Sequence, residues 1–466
     1  MTTTLRGWTA QTKAFFTDRE YYHQLVIFAL PLAIQNLVIS SLNMVGVVMI
    51  GQLGETPVAA VGLAAQIFFL LQLVLFGINS GASMFTAQLW GKQDLPNIRK
   101  VLALAILLGL VAGSFFLGLA WLAPQAVLGI YSKDPQVVAQ GSQYLRIFGW
   151  AYLFFPVTFS FAMVLRSIGD VKMPMLVSIG ALAFNALLSY LLIFGKLGLP
   201  ALGVRGAAIA GLLARLLECG VLIWIVYHRR SSIALRLSDL FELDLSFIGR
   251  VFKPMLPVIL NETFWSFGTT AYSVVYGRIS TDAIAAMNIV GTIDNLAFVF
   301  AFGLANATAI MVGNRIGSGE EGKAFKYAVR SLILSMLLGI LVGSQVWLWS
   351  PAIVGLYKVP PVVIEYAGKA LVILASLLWL RAANSIIIVG ILRSGGDARF
   401  SFFLDGLVIW IVGVPMAFFT AFVLHLPVYY VYLAIMSEEI IKWIIGIHRI
   451  FSKKWIHNLT RTVGTG

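Results

Sequence analysis

The chain has 466 residues, 59% of them hydrophobic and only 11% charged, with a formal net charge of +13. Soluble domains carry about 25% charged residues and about 45–50% apolar ones, so a large soluble globule is excluded. The mean hydropathy of +0.90 is that of a membrane protein, and the basic excess is read by its position along the chain rather than as a nucleic-acid surface.

Residues 1–24 are polar and basic and run directly into a full-length apolar segment. They read as a cytoplasmic N-terminal segment, with no cleavable signal peptide. Apolar runs then recur at about 25–50, 58–80, 101–123, 144–165, 174–195 and 206–226. Each approaches the roughly 20 residues that a helix needs to cross the hydrocarbon layer. They define an N-terminal six-helix bundle over 25–226. Segment 227–254 mixes Arg with Leu, Ile and Phe and reads as a cytoplasmic linker, either a helix lying at the interface or an ordinary basic loop. Six more runs follow, at about 255–276, 283–305, 329–350, 368–392, 402–424 and 427–448. They form a C-terminal six-helix bundle over 255–448, leaving 449–466 as a cytoplasmic tail. A barrel would need ten-residue segments of alternating polarity, and these runs are too long and too uniformly apolar. The expected fold is an all-α integral membrane protein of twelve transmembrane helices.

Most Lys and Arg fall in the two tails and the even-numbered loops. The positive-inside rule therefore puts both termini in the cytoplasm, and no nucleic-acid partner is expected. Cys219 is the lone cysteine and the five His are scattered, so neither a disulfide frame nor a metal site of CxxC type is expected.

The two halves repeat. With Gly51 laid on Gly277, GQLGETPVAA (51–60) meets GRISTDAIAA (277–286), Pro31 meets Pro257, and Phe76–Gly77 meets Phe302–Gly303. One residue of slippage later, LRSIGD (165–170) meets LRSGGD (392–397). Six spans per half is an even number, so both halves enter from the same side and a pseudo-two-fold axis runs along the membrane normal. Carriers built on parallel repeats of this kind rock two bundles against each other.

Acids inside the spans are concentrated in the second half: Glu262, Asp294, Asp405, Glu438 and Glu439, against Glu218 alone in the first. An ionised side chain at mid-membrane costs at least about 2.5–3.5 kcal/mol, and such groups mark ion or substrate pathways by default. Some have bland readings. Arg215 and Glu218 are spaced to pair on one helix, as are Glu438 and Lys442, and Asp294 could be a neutral core acid. Arg381, with Asn384 on the same face, reads as counter-ion to one of the acids. Glu262 stands out. It shares a helical face with Ser266, Thr269 and Ser273, flanked by Trp265 and Tyr272. It reads as a carboxylate filled and emptied by a small cation.

The segments LPVILNE, YGRIS, LRSGGD and NMVGVVMIGQLG, with the six-plus-six repeat, resemble the multidrug and toxic compound extrusion (MATE) transporters of bacteria over nearly the whole chain. The resemblance implies an antiporter of the bacterial cytoplasmic membrane that exports bulky, often aromatic and cationic compounds in exchange for Na⁺ or H⁺ by alternating access. It also implies no other cofactor, no enzymatic activity and a monomer. The family's acid in the seventh span falls on Glu262, and one in the eleventh corresponds to Asp405. Three departures stand beside these: Gly46, Ser189 and Ala382 occupy positions where relatives carry acids. Cation coupling is therefore expected in the second half, through Glu262, Asp405, Asp294 and Asn261, with Arg381, Asn384, Glu438, Glu439 and Lys442 as a charge network. The substrate cavity is expected to take Trp265, Ser266, Thr269 and Tyr272 from the seventh span and Gln35, Asn36 and Asn185 from the first half. The competing function is a lipid-linked sugar flippase of the same wider fold class. It would favour a cationic cavity, whereas the intramembrane acids here outnumber the bases. No GxxxxGK[ST] phosphate loop and no DDxxD motif is present.

Overall fold

In a computed structural model, the described residues are 18–236, 239 and 242–463. The N-terminal segment is thus described only from Asp18. Most of the expected 1–24 segment, four linker positions (237, 238, 240 and 241) and the last three residues of the 449–466 tail lie outside the described residues.

Twelve helical crossings follow one another. They are α1 (Arg19–Gly51), α2 (Glu55–Gly91), α3 (Leu95–Leu122), α4 (Pro135–Phe148 and Ala151–Ser167), α5 (Lys172–Phe194) and α6 (Val204–His228). Then come α7 (Leu245–Ile279), α8 (Thr281–Gly317), α9 (Glu321–Gly355), α10 (Pro361–Arg393), α11 (Ala398–Val423) and α12 (Val428–Ile435 and Ser437–Phe451). Among the described residues, nine helices are long and apolar enough to span a bilayer, and the two parts of α4, bent by 54°, make a tenth crossing. The other two, α7 and α12, carry polar groups in their middles: Asn261, Glu262, Ser266 and Thr269 in one, Glu438, Glu439 and Lys442 in the other.

Local chemistry sets the ends. Asp94 accepts from the Asn97 N–H and Asp134 from the Gln136 N–H, with proline in the first turn of each helix that follows; this is the N-cap pattern that satisfies orphan donors. Ser280 does the same for α8. The repeated LRSIGD and LRSGGD segments fold alike. The Asp170 N–H reaches the Leu165 carbonyl at 2.9 Å and the Asp397 N–H reaches Leu392 at 2.9 Å. The preceding Gly169 (φ 95°) and Gly396 (φ 87°) supply the positive φ of this helix-ending turn. Duplication read as spelling is therefore duplication of structure.

Many large apolar side chains are exposed, among them Val111, Phe115, Leu187, Trp224, Leu341 and Ile411. In water this would be an aggregation hazard; facing lipid it is expected.

The chain groups into two compact units. One takes the described residues through Ala33 together with Thr263–Thr462, the other Ile34–Glu262. The divisions thus fall inside α1 and α7, whereas the sequence assigned whole helices to bundles over 25–226 and 255–448. The linker region expected over 227–254 splits in a similar way. α6 ends at His228 and α7 already begins at Leu245, so its last third belongs to a membrane helix. Asp239 and Glu242 of the remaining loop pair with Arg99 and Lys100 of α3, at 3.2 and 2.9 Å.

Candidate functional site

The charged groups of the unit containing residues 263–462 converge. Glu438 and Glu439 occupy the first turn of the second part of α12, just after a break at Met436, where the helix dipole favours negative charge. Lys442 follows one turn later and is 1% exposed. Its Nζ lies 3.0 Å from Asp405 Oδ1, 3.5 Å from Glu438 Oε1 and 3.9 Å from Glu439 Oε1. Sequence spacing alone pairs Lys442 with Glu438; the shorter contact runs instead to Asp405 on another helix.

Two backbone features aim these groups. Asp405 sits in a π-helical stretch, Phe402–Leu407, and a second such stretch, Ile409–Gly413, follows at once. An extra residue per turn shifts the faces of the helix, and π-bulges of this kind gather at functional positions. Asn384, near the start of the π-helical segment Ile386–Arg393, donates to the Glu439 carbonyl at 2.8 Å and to its Oε2 at 2.6 Å.

Tyr272 of α7 packs into the same cluster. It is buried, and its hydroxyl donates to Glu438 Oε2 at 2.8 Å. The approach passes over Gly413. A Cβ on that residue would collide with both the Tyr272 hydroxyl and Glu438 Oε2. No pattern in the sequence singles out Gly413, because its importance lies entirely in what packs against it.

Arg381 ion-pairs with Asp294 and lies 5.5 Å from the centre of the Phe298 ring. Asp294 is therefore the acid to which Arg381 is counter-ion, and the neutral-core reading of Asp294 is set aside. In the other unit Arg215 and Glu218 pair at 2.6 Å, as their spacing indicated.

The remaining expected residues scatter. Asn261 is 1% exposed and Glu262 half-buried, at the point in α7 where the two units divide. The stripe below Glu262 is partly spent on its own helix: the Thr269 and Thr270 hydroxyls both donate to the Ser266 carbonyl at 2.9 Å. Trp265 is exposed. In the other unit Gln35 is buried and accepts from Arg166 Nη2 at 3.0 Å. Asn36 is half-buried, and Asn185 accepts from the Ser189 hydroxyl at 3.3 Å. Gln35 and Tyr272 are thus engaged by partners within their own units. Among the described residues, no group of three or more His, Cys, Asp or Glu is arranged to hold a metal ion.

Twelve membrane helices in a duplicated pattern, with a buried, acid-rich ionic cluster in the second half, define a polytopic membrane protein of the carrier class. The MatE family model matches residues 31–191 and 257–419, once in each half of the repeat. The chain belongs to the MatE family. It is 30% identical over 403 residues to "Probable multidrug resistance protein NorM" of Rhizobium meliloti, covering 83% of each chain. It is 24% identical over 436 residues to the protein of the same name from Thermotoga maritima, covering 94% of this chain and 93% of that one. Among solved structures, an outward-facing multidrug resistance MATE family transporter of the MOP superfamily superposes with a TM-score of 0.82 at 20% identity, over 92% of this chain and 96% of the other. The MATE fold is thereby shared.

Proposed function

We propose that this chain is a secondary active exporter of bulky organic compounds, often cationic and aromatic, driven by exchange with Na⁺ or H⁺. It would act by alternating access as a monomer in a bacterial cytoplasmic membrane, with both termini cytoplasmic. The multidrug-resistance names of the relatives supply the substrate class. The observation that carries the coupling is the surplus of carboxylates over bases in the second half. Asp405, Glu438 and Glu439 approach the Lys442 ammonium, and Glu262 lies beside Asn261 in the middle of α7.

Energetics allow this without ATP. One inward charge gains about 2.3 kcal/mol per 100 mV, and a tenfold ion gradient adds about 1.4 kcal/mol. Together these drive a neutral compound a few hundredfold uphill. One-for-one exchange with a monocation cancels the voltage part and leaves about tenfold.

Uptake of ethidium into everted vesicles, with Na⁺ and H⁺ gradients imposed separately, tests the reading. The wild type should concentrate the dye under one of them. Glu262→Gln should insert normally and lose the gradient-driven component. Wild-type uptake by that variant removes Glu262 from the mechanism, and absence of driven uptake in the wild type removes the proposal.

A further inference from the structure

Two lipid-facing stripes end together. On α9, Ile333, Leu337 and Ile340 are exposed and share a helical face with Lys326, near the start of that helix. On α12, exposed Ile440 and Ile444 lead along one face to Phe451, the last residue of the helix. The stripes join where the Phe451 and Phe325 rings pack edge to face, with centroids 6.1 Å apart. Beyond Phe451 the chain turns sharply. The Lys453 N–H reaches the Ile450 carbonyl at 3.0 Å, and the Lys454 N–H reaches Ser452 Oγ at 3.4 Å. Lys453 adopts φ 57°, and its Nζ lies 5.0 Å from the centre of the Phe325 ring. Trp455 follows at once and is fully buried, so both lysines are held on the fold rather than on a loose tail.

Lys326, Lys453 and Lys454 are all exposed, and among the described residues none of them pairs with a carboxylate. The acids at this end are committed elsewhere: Asp18 to Arg330, Glu320 to Arg315 and Lys323, and Asp397 to Arg449. Glu321 stands in the first turn of α9, where the helix dipole favours negative charge. We propose that the junction of α9, α12 and the tail is a binding site for an anionic phospholipid. Its acyl chains lie along the two apolar stripes, and its phosphate is held by Lys326, Lys453 and Lys454. Basic residues at the membrane surface attract anionic headgroups in this way, whereas the quaternary amine of a choline headgroup would bring like charge to three ammonium groups. The assignment of the site to the cytoplasmic leaflet rests on the exporter reading; the binding itself does not.

Thermal unfolding of the full-length protein tests this, in detergent micelles doped with phosphatidylglycerol or with phosphatidylcholine. Phosphatidylglycerol should raise the wild-type Tm by about 2–3 °C over phosphatidylcholine. The rise should fade in high salt, because it depends on charge. Lys453→Gly/Lys454→Gln should lose it. A left-handed φ suits glycine better than lysine, so this variant should keep its Tm in phosphatidylcholine, and the lost response is then not a weakened fold. Lys326→Gln leaves the turn untouched and should weaken the response; it decides the question should the first variant not be recovered. No rise in the wild type, or the full rise in these variants, overturns the proposal. So does a rise reproduced by inorganic phosphate in phosphatidylcholine micelles, which would mark a phosphate site open to solution. Absence of dye uptake with the lipid response intact would count against the exporter reading alone and leave the lipid site standing.

Discussion

The Tyr272 hydroxyl meets Glu438 Oε2 at 2.8 Å directly across Gly413. Helices α7, α11 and α12 are fastened there by one hydrogen bond and one missing methyl group. Adding the methyl by Gly413→Ala should drive the two polar atoms apart, at a cost of about 1–3 kcal/mol. Tyr272→Phe should cost about 1–2 kcal/mol by leaving Glu438 short of a donor. Because both act on one contact, the double variant should lose less than the sum. Thermal unfolding of the three variants checks it, and simple additivity would show that Gly413 and Tyr272 are independent.

Arg381 and Asp294 offer a second test. Asp294→Asn leaves a part-buried guanidinium without its carboxylate, which should cost about 1.5–3 kcal/mol. Pairing it with Arg381→Gln should recover much of that loss. Yield of monodisperse protein and its Tm report the outcome; a double variant no better than Asp294→Asn would mean that Arg381 is needed for something besides Asp294.

The tail after α12 is part of the fold. Trp455 is fully buried, its Nε1 donates to the Ile450 carbonyl at 3.0 Å, and a Cβ on Gly395 would strike its ring. The His457 N–H reaches the Gly395 carbonyl at 2.7 Å, and Arg449 pairs with Asp397 at 2.8 Å. Trp455→Ala should cost about 3–5 kcal/mol through the cavity it opens. Proteolysis near residue 455 should become faster in that variant, while wild-type protein is cut slowly there.

A pH dependence follows from two acids outside the spans. Hydrogen bonds from Lys323 and Arg315 hold the Glu320 carboxyl below the ordinary glutamate value. Partial burial opposes the same shift at Asp18, but the Arg330 guanidinium and the Tyr21 N–H prevail and hold it below the ordinary aspartate value. A depressed carboxylate contributes stability that is complete above its unfolded pKa, about 4, and is lost as pH falls through the folded one. Tm should therefore decline from about pH 5 downward, less steeply in Glu320→Gln. An unchanged slope in that variant would show that the Arg315–Glu320–Lys323 contacts contribute nothing.

By itself the sequence determined the class and the architecture. Hydrophobic runs of span length count out the helices because lipid offers backbone groups no partner outside their own helix. The LRSIGD and LRSGGD segments announced a duplication that the two matching turns display. It also located the acids in the second half, since a charge among apolar neighbours is visible without any fold. Who partners whom was decided only in three dimensions. Local spacing reaches one turn along a helix, which suffices for Arg215 and Glu218. Lys442 reaches Asp405 on another helix, Tyr272 donates to Glu438, and Gly413 matters only through what crosses it. Those contacts depend on π-helical offsets and on packing between helices distant in sequence, and residue order alone encodes neither in a form that can be read directly.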